Sequence, residues 1–294
     1  MHYTGPVVRP PHEMHSILLE ITVGCTHNSC RFCDFYHDIP FRMAPLTQIE
    51  EDLKEVRRFN PNAKRVYALG GDPFTLSVRR LKKIGTLIRS YLPKANIGTY
   101  ARITSIMPKS IKELKELRAT GFNDLVIGIE SGDDEVLDFM NKGYTAADIL
   151  EQCLKLEQAG INYYVIFLGG LAGHGNGIRN ARNTASVLNQ LHPSHMYMTS
   201  VAVLPGTELY ADVAEGKFQE ASELERIQET LELIRALKNP ITLYGQSVAN
   251  PVNFVAKLPD QKESLIEELE DTIAKFTDKD ETSLRRYRES LRNV

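Results

Sequence analysis

The sequence is poor in cysteine and has no tryptophan, no long apolar run and no low-complexity segment. Three of its four cysteines, Cys25, Cys30 and Cys33, stand in one short stretch, which leaves no pairs for a disulfide framework. Because a signal peptide and a bilayer-length apolar run are also missing, we expect a soluble, cytoplasmic protein in a reducing compartment.

Neither sign of charge dominates the chain. The 35 Lys and Arg residues are nearly balanced by 38 Asp and Glu, which gives a net charge of −3. This balance argues against a nucleic-acid footprint over the whole surface and favours a small or medium-sized substrate. The basic run at Arg285, Arg286 and Arg288 is too short to reverse that expectation, and it predicts a solvated helix face.

Strand and helix patterns alternate six times in the first two thirds of the chain. An amphipathic helix is predicted to begin at Thr47, with Glu50 completing a capping box and Ile49, Leu53 and Val56 forming its buried stripe. Six βα units are too few for a closed eight-stranded barrel, and they suit a partial barrel or an open doubly wound sheet. The predicted strands are Ser16–Val23, Arg65–Leu69, Ile97–Arg102, Asp124–Ile129, Tyr163–Leu168 and Met196–Leu204.

The remainder of the chain differs in character. Helices are predicted at Ala221–Lys238, Leu265–Phe276 and Ser283–Leu291, with one short strand at Ile241–Gly245. We therefore expect a core over residues 1–215 and a mainly helical extension over residues 216–294 that packs on the core. Within the core, residues 1–15 are expected to form a cover segment, with Tyr3, Arg9 and His12 over the site.

Unusual residues follow the carboxyl end of every predicted strand. In parallel α/β structures, that edge of the sheet carries the functional site. Taken singly, each motif has a plainer reading as a turn, a helix cap or a surface ion pair. The motifs are the cysteine stretch, Gly70-Gly71-Asp72-Pro73, Arg102, Glu130-Ser131-Gly132, Gly169-Gly170 with His174 behind it, and Pro205-Gly206-Thr207.

The cysteine stretch is the most specific of these motifs. A structural zinc site uses four protein ligands, so zinc would require His27 or His37 beside the three thiolates. An iron–sulfur cube held by three cysteines instead keeps one iron open for another ligand. The fourth cysteine, Cys153, lies on an apolar helical stripe and is predicted to be buried in the core.

With this triplet and these strand-end motifs, residues Ser16 to Tyr210 resemble the radical S-adenosylmethionine (SAM) superfamily. The resemblance is closest to the branch of coproporphyrinogen dehydrogenases, methylthiotransferases and the elongator catalytic subunit. It implies a partial (β/α)6 TIM-type barrel in which Cys25, Cys30 and Cys33 hold a [4Fe–4S] cluster. It also implies that the fourth iron binds SAM, and that reductive cleavage of SAM yields a 5′-deoxyadenosyl radical which abstracts hydrogen from the substrate.

The resemblance also assigns expected SAM contacts. Phe32 would lie near the adenine, the backbone of Gly70 to Pro73 would receive the amino group, and Arg102 is a candidate partner of the carboxylate. Glu130 or Ser131 would contact the ribose or methionine part, and Leu168 with Gly169 and Gly170 would form the adenine wall. Two further stretches match the branch, and these are Met140-Asn141-Lys142-Gly143 and Pro205 to Tyr210.

The chain departs from the common family pattern in two places. Four residues separate Cys25 from Cys30, where three are usual, and Asp72 stands where glutamate is commoner. No further cysteines are present for a second cluster, which disfavours the auxiliary-cluster and sulfur-inserting subclasses. An electron donor such as flavodoxin or ferredoxin is implied as a partner.

The sequence leaves several classes of substrate and function open. A tetrapyrrole-modifying or haem-handling enzyme and an RNA-modifying enzyme are alternatives within the family. A zinc-stabilised, non-catalytic binding protein is the alternative outside it. The candidate substrate-facing residues are Tyr100, His174, Tyr197, Tyr244 and Asn250.

Overall fold

The chain alternates short strands with amphipathic helices, and the computed structural model describes residues 1–292. The predicted α/β class is confirmed, with a mainly parallel eight-stranded sheet. The strands in this range are β1 (Ile17–Glu20), β2 (Thr22–Val23), β3 (Arg42–Met43), β4 (Arg65–Leu69), β5 (Asn96–Ala101), β6 (Phe122–Glu130), β7 (Asn162–Gly169), β8 (His195–Ser200), β9 (Ile241–Tyr244) and β10 (Val255–Leu258).

Helices follow most of the long strands. They are α1 (Leu46–Phe59), α2 (Val78–Tyr91), α3 (Ile103–Ile106), α4 (Ile111–Ala119), α5 (Asp134–Phe139), α6 (Ala146–Ala159), α7 (Gly177–Leu188), α8 (Glu208–Ala214), α9 (Glu223–Ala236), α10 (Lys262–Lys275) and α11 (Asp278–Ser290). None of the helices in residues 1–292 is both long enough and apolar enough to cross a membrane.

The large sheet has the strand order β1-β4-β5-β6-β7-β8-β9-β10. Its pairs β1–β4, β4–β5, β5–β6 and β8–β9 are parallel, whereas β9–β10 is antiparallel. The six predicted strands are neighbours in sequence order, which is the winding of a TIM-type barrel, whereas the strand order of a doubly wound sheet reverses. Strand β10 is missed by the sequence prediction because four residues that alternate between exposed and buried give too short a pattern to recognise.

The chain divides into two compact units. Unit 1 comprises residues 1–28, 35–128 and 152–164, and unit 2 comprises residues 29–34, 129–151 and 165 onward. Strands β6 and β7 each contribute residues to both units. Within unit 2, β9 lies parallel to β8 with Tyr197 opposite Tyr244. The sequence-predicted boundary at residue 216 is a different division, and it stays a prediction.

Helix α1 illustrates where the sequence pattern succeeds and where it fails. The predicted stripe is confirmed, since Ile49, Leu53 and Val56 are fully buried. The predicted capping box is wrong, because the helix begins at Leu46 behind Pro45, with no side-chain cap. Pro45 is the N-cap because its ψ of 144° is non-helical, so the first turn begins at Leu46 and already contains Thr47. Glu50 instead accepts a hydrogen bond from the hydroxyl of Tyr91 at 2.7 Å.

Strand β8 is shorter than predicted and ends at Ser200 rather than at Leu204. The backbone leaves the ladder after Val201, whose N–H donates to the carbonyl of Gly169 at 2.9 Å. The carbonyl of Val201 accepts hydrogen bonds from two arginine side chains of unit 2, Arg226 and Arg288. The apolar run continues past the strand because Val201, Ala202 and Leu204 remain buried.

A buried ion network lies at the amino ends of β4 and β6 in unit 1. Arg65, the first residue of β4, donates from Nε to both carboxylate oxygens of Glu13, at 3.0 and 3.1 Å. Its other nitrogens pair with Glu13 and Asp124. Burial opposes ionisation of Glu13, but hydrogen bonds from His12, Arg65 and Ser16 outweigh it and lower the pKa of its carboxyl to about 2. The turn upstream of β1 is therefore held in place by the ion pair of Glu13 with Arg65.

The rest of the amino-terminal segment follows β1 along its length. The backbone N–H of Thr4 donates to Glu20, at the carboxyl end of β1, at 2.7 Å. Tyr3 donates from its hydroxyl to the carbonyl of Leu18 at 3.1 Å. At the far end of the segment, the ring of His12 contacts the ring of Tyr164, with centroids 4.8 Å apart. The predicted cover role of this segment stays a prediction.

We predict that Glu13→Gln removes an acid-sensitive part of the stability. A carboxyl with a lowered folded pKa stabilises the protein above its unfolded pKa and loses that contribution as pH falls through the folded value. The window here runs from pH 4.5 down to about 2, and the contribution at neutral pH is about 3 kcal/mol. Urea unfolding of both proteins should show a stability gap that is largest near pH 7 and narrows toward pH 2. A gap that stays constant with pH would contradict the assignment.

Candidate functional site

In unit 1, the loop after β4 is hydrogen-bonded, backbone to backbone, to the loop that carries Cys25. Gly71 donates from its N–H to the carbonyl of Gly24 at 3.1 Å. A Cβ at Gly71 would lie 2.9 Å from the Cβ of Cys25 and 2.7 Å from the ring of Tyr36, so no side chain fits there. Gly70 has φ +145°, which glycine alone adopts without strain. The glycine pair therefore allows the β4 loop to lie against Cys25, beyond what a simple turn requires.

Asp72 ties three loops of unit 1 together. Its buried carboxylate accepts from the hydroxyl of Thr26 at 3.2 Å and from the backbone N–H of Arg102 at 3.3 Å. Burial raises the pKa of Asp72, against opposing hydrogen bonds from Ser105 and Arg102. Thr26 is the neighbour of Cys25, and Arg102 follows β5. The side chain of Asp72 thus fixes the cysteine loop against the ends of β4 and β5.

Lys109 is a site residue that the sequence reasoning missed. Its buried ammonium donates to the carbonyls of Phe74 and Ser105, both at 2.7 Å, and lies 4.8 Å from the centre of the Phe74 ring. Burial lowers the pKa of Lys109 to about 8. The lysine braces the segments that follow β4 and β5. Arg102 itself donates from its guanidinium to the hydroxyl of Thr104 at 3.1 Å.

In unit 2, the backbone on both sides of Cys30 is held by the Met140–Asn141 turn. Asn141 donates from its side-chain amide to the carbonyl of Ser29 at 2.8 Å, and Arg31 donates from its N–H to the carbonyl of Met140 at 3.2 Å. Asn141 has φ +53°, a left-handed conformation that asparagine tolerates better than most residues. The turn thus positions the residues that flank the second cysteine.

Arg31 supplies a second anchor for the same stretch. Its carbonyl accepts from the N–H of Leu209 at 2.8 Å, in the first turn of α8. Its guanidinium donates to Asp212 at 2.9 Å and lies 5.2 Å from the centre of the Phe139 ring. These contacts give a structural role to both stretches, 140–143 and 205–210, on which the family resemblance rested.

We predict that Asn141→Gly loosens the cysteine stretch without straining the backbone. Glycine accepts the positive φ, but it lacks the amide that bonds to Ser29, so stability should fall by about 1 kcal/mol. Hydrogen–deuterium exchange should accelerate in the peptide that contains Cys30. The control is Asn189→Ala, which removes side-chain bonds to the carbonyl of Ala236 and from the N–H of Lys238 elsewhere in unit 2. Equal exchange at Cys30 in both variants would refute this role of Asn141.

Glu130, at the end of β6, occupies an unusual backbone position. Its φ is +63°, and its buried carboxylate pairs with Lys142 at 3.3 Å. The ammonium of Lys142 also lies 5.5 Å from the ring centres of both Phe32 and Tyr144. Phe32 and Glu130, two residues predicted as cofactor contacts, therefore share Lys142, which belongs to the 140–143 stretch and had no role predicted from the sequence.

Ser131 begins a chain of buried hydrogen bonds in unit 2. Its hydroxyl donates to the side-chain oxygen of Asn180 at 2.5 Å, and the amide nitrogen of Asn180 donates to Glu229 at 2.7 Å. The other carboxylate oxygen of Glu229 accepts from the N–H of Gly170 at 2.5 Å. Burial raises the pKa of Glu229 to about 7, although the bonds from Asn180 and Gly170 oppose this rise. The Glu130-Ser131-Gly132 loop and the Gly169-Gly170 loop are linked in this way.

The predicted adenine wall lies in an apolar cluster of unit 2. Leu168 is buried there together with Leu171 and Val201, and Phe32 packs against the cluster as a partly buried ring. The next residue, Gly169, ends β7 and presents its carbonyl to Arg226 at 3.3 Å. Leu168 and Phe32 thus belong to one apolar cluster, and their contact with adenine stays a prediction.

The candidate substrate-facing residues have other contacts. Tyr100 packs edge-on against Tyr67, with ring centroids 5.6 Å apart. His174 is exposed and contacts Glu225 at 3.0 Å. Tyr197 stacks on Tyr244, with centroids 5.5 Å apart.

Asn250 has a structural task in unit 2. Its amide donates to the carbonyls of Met198 and Gly245 at 2.8 and 2.7 Å, and its oxygen accepts from Ser200 at 3.1 Å. These bonds join the chain beyond β9 to β8. The role of Asn250 toward a substrate stays a prediction.

The cysteines fit the donor set of a cluster held by three thiolates. Cys25, Cys30 and Cys33 are partly exposed, whereas Cys153 is buried as predicted. Within residues 1–292, no three His, Cys, Asp or Glu side chains are drawn together as a metal-binding group. The fit therefore rests on the thiol chemistry, on the glycine that lets the β4 loop approach Cys25, and on the hydrogen bonds that flank Cys30.

Comparison with known proteins identifies the class of this fold and site. The sequence model of the radical SAM superfamily matches residues 19–181, which is more than half of the chain. The protein belongs to the radical SAM superfamily. The family resemblance seen in the sequence is thereby confirmed.

Individual relatives fall in the predicted branch. The chain is 23% identical over 222 residues to the heme chaperone HemW of Bacillus subtilis, covering 71% of this chain and 58% of that protein. It is 23% identical over 260 residues to the tRNA-2-methylthio-N(6)-dimethylallyladenosine synthase of Prosthecochloris aestuarii, covering 85% and 56%. This chain thus spans somewhat more than half the length of the curated relatives it matches.

A solved structure shows the same fold. Coproporphyrinogen III oxidase from Escherichia coli, described as a radical SAM enzyme, superposes with a TM-score of 0.54 at 19% identity. The match covers 75% of this chain and 52% of that one. At this identity the likeness supports the fold, and it agrees with the predicted partial TIM-type barrel.

Proposed function

We propose that this protein is an enzyme that uses a [4Fe–4S] cluster and SAM to start radical chemistry on a small or medium-sized substrate. The observation that carries the proposal is the pairing of a three-cysteine stretch with a glycine loop shaped to lie against Cys25, in a chain of the radical SAM superfamily. When bound, the reduced cluster supplies the electron that cleaves a carbon–sulfur bond of SAM to give methionine and a 5′-deoxyadenosyl radical.

We assign the cluster to Cys25, Cys30 and Cys33. Three thiolates leave one iron for a further ligand. The chain prepares this stretch through Asp72, which accepts from Thr26, and through Asn141, which bonds to Ser29. These bonds fix the residues beside Cys25 and Cys30 and so would help to orient the two thiolates.

We assign SAM binding to residues at the carboxyl ends of the strands. The backbone of Gly70-Gly71-Asp72-Pro73 would receive the amino group, and Arg102 would pair with the carboxylate. Glu130 or Ser131 would bind the ribose or methionine part. The rings and apolar side chains of Phe32 and Leu168, beside Gly169, would hold the adenine. This assignment is supported in unit 2 by the shared contact of Lys142 with Glu130 and Phe32.

The substrate and the electron donor are proposed only as classes. A balanced charge of −3 favours a small or medium-sized molecule over RNA. A tetrapyrrole and a tRNA are the alternatives that the relatives raise, since those proteins are a heme chaperone and a tRNA methylthio synthase. A flavodoxin or ferredoxin would supply the electron, and retained RNA in the purified protein would favour the tRNA alternative.

Anaerobic reconstitution tests the proposal directly. Protein treated with iron and sulfide should become brown, and it should form 5′-deoxyadenosine when SAM and dithionite are added. The control omits the reductant and should yield no product. Protein with a full cluster that forms no 5′-deoxyadenosine would overturn the proposal. Near-stoichiometric zinc without iron in anaerobically purified protein would point instead to a zinc-stabilised binding protein.

A further inference from the structure

A buried polar chain in unit 2 begins at a helix beyond the matched family segment and ends at two loops assigned to SAM. The helix is α9, and its Glu229 is fully buried. Both carboxylate oxygens of Glu229 are used, one by the amide of Asn180 and one by the N–H of Gly170. Asn180 in turn accepts from Ser131. The carboxylate of Glu229 is therefore hydrogen-bonded directly to the loop after β7 and, through Asn180, to the loop after β6.

A second charged side chain of α9, Arg226, bonds to the peptide carbonyl of Gly169. Arg226, one helical turn before Glu229, donates to the carbonyl of Gly169 at 3.3 Å and to that of Val201 at 3.1 Å. A Cβ at Gly170 would lie 2.0 Å from the guanidinium of Arg226. The Gly169-Gly170 pair is therefore held from its carbonyl side by Arg226 and from its N–H side by Glu229.

Arg226 and Glu229 reach the two loops directly and through α7. Arg226 bonds to the carbonyls of Gly169 and Val201, and Glu229 bonds to the N–H of Gly170. Asn180 of α7 links Glu229 to the hydroxyl of Ser131, which also accepts from the N–H of Asp133 at 2.9 Å. The next N–H, that of Gly132, donates to Thr184 on α7 at 2.8 Å. Burying a carboxylate is costly unless it is fully hydrogen-bonded. Here one bond holds the N–H of Gly170 after β7, and the other reaches Ser131 after β6 through Asn180.

We propose that Glu229, acting through Asn180, is a positioning residue that sets the β6 and β7 loops for SAM. The inference rests on the proposed function, since it assumes that the loops after β6 and β7 form part of the SAM site. Preorganisation of this kind changes affinity for SAM more than the rate at saturating SAM, because the reacting atoms are untouched.

The test compares three variants of the reconstituted, cluster-loaded protein. Glu229→Leu removes both hydrogen bonds of the carboxylate. Asn180→Ala removes the bonds of Asn180 to Ser131 and to Glu229 but keeps the bond from the N–H of Gly170. Glu229→Gln is the conservative variant. The glutamine oxygen accepts from the N–H of Gly170, and the glutamine amide donates to the oxygen of Asn180 once the Asn180 amide is flipped. The nitrogen of Asn180 then donates to the hydroxyl of Ser131. The matched control is Glu223→Gln, another buried α9 glutamate, which pairs with Arg288 and contacts neither loop.

Three readouts separate positioning from stability. Equilibrium binding should show SAM affinity about tenfold weaker in Glu229→Leu and Asn180→Ala, with kcat at saturating SAM nearly unchanged. Hydrogen exchange at Gly170 should accelerate in Glu229→Leu, and less so in Asn180→Ala. The change that SAM causes in the cluster's electron paramagnetic resonance spectrum should need more SAM in both. Glu229→Gln should stay close to wild type, and Glu223→Gln should lose stability while keeping its SAM affinity.

A folded Glu229→Leu protein with wild-type SAM affinity would overturn the inference. If that variant does not fold, wild-type affinity in Asn180→Ala would overturn it equally. A cluster-loaded wild-type protein that binds no SAM would defeat the proposed function and this inference together. Wild-type protein that binds SAM, beside unaffected variants, would defeat the inference alone.

Discussion

Replacing Cys30 with alanine should abolish the cluster and, with it, all formation of 5′-deoxyadenosine. Two remaining thiolates cannot replace the three-cysteine set that holds a [4Fe–4S] cube with one open iron. Iron and sulfide content after anaerobic reconstitution should fall to background, and the protein should stay colourless. Cys25→Ala and Cys33→Ala should behave alike, because each removes one member of the same ligand set.

Cys153→Ala is the matched control for the three cysteine variants. Cys153 lies on α6 with no exposed surface, and burial raises the pKa of its thiol, so it behaves as a small apolar side chain. Its replacement should cost about 1 kcal/mol of stability and leave cluster content and product yield unchanged. Loss of the cluster in Cys153→Ala, or its survival in Cys30→Ala, would show that the ligand assignment is wrong.

The features that sequence alone predicts are those set by neighbours along the chain. Strands of a parallel sheet are buried on both faces and read as apolar runs, and β4 (Arg65–Leu69) has the bounds that were predicted for it. Strand ends follow from strand positions. Gly70 after β4, Arg102 after β5 and Glu130 at the end of β6 are therefore placed as predicted.

The contacts that shape the candidate site join residues far apart in sequence, and no local pattern reports them. Asn141 bonds to Ser29 across 112 positions, and Glu229 bonds to Gly170 across 59. A glutamate in an amphipathic helix is expected on the surface, since charged residues are seldom buried unless paired. Only the tertiary structure shows that Glu229 is hydrogen-bonded to Asn180, and that this pair connects the loops after β6 and β7.

In the basic run Arg285, Arg286 and Arg288, the local sequence pattern predicts the exposure of two residues correctly and fails at the third. Arg285 and Arg286 are exposed, as predicted for a solvated helix face. For Arg288 the prediction is wrong, because this side chain is only 7% exposed. It extends from α11 into unit 2 and meets a carboxylate and two carbonyls there. Charge alone could not distinguish it from its neighbours.

Arg288→Met should be among the most destabilising single changes in unit 2. The guanidinium of Arg288 donates to both carboxylate oxygens of Glu223, at 2.7 and 2.6 Å. It also donates to the carbonyls of Ala249 and Val201, at 2.6 and 3.2 Å. Removing one partner of a buried pair leaves the other charge uncompensated, which costs about 3–5 kcal/mol. Urea unfolding at neutral pH measures this loss.

The exposed Arg285, on the same helix, provides the control for the loss of stability in Arg288→Met. Arg285→Met removes a charge from the same helix. Arg285 is exposed and its contact with Glu281 is 3.9 Å long, so the change should stay within about 0.5 kcal/mol. The double variant Glu223→Leu with Arg288→Met should regain part of the loss, because it buries no lone charge. A single Arg288→Met as stable as Arg285→Met would mean that Glu223 is hydrated once its partner is gone, and that the pair does not anchor α11.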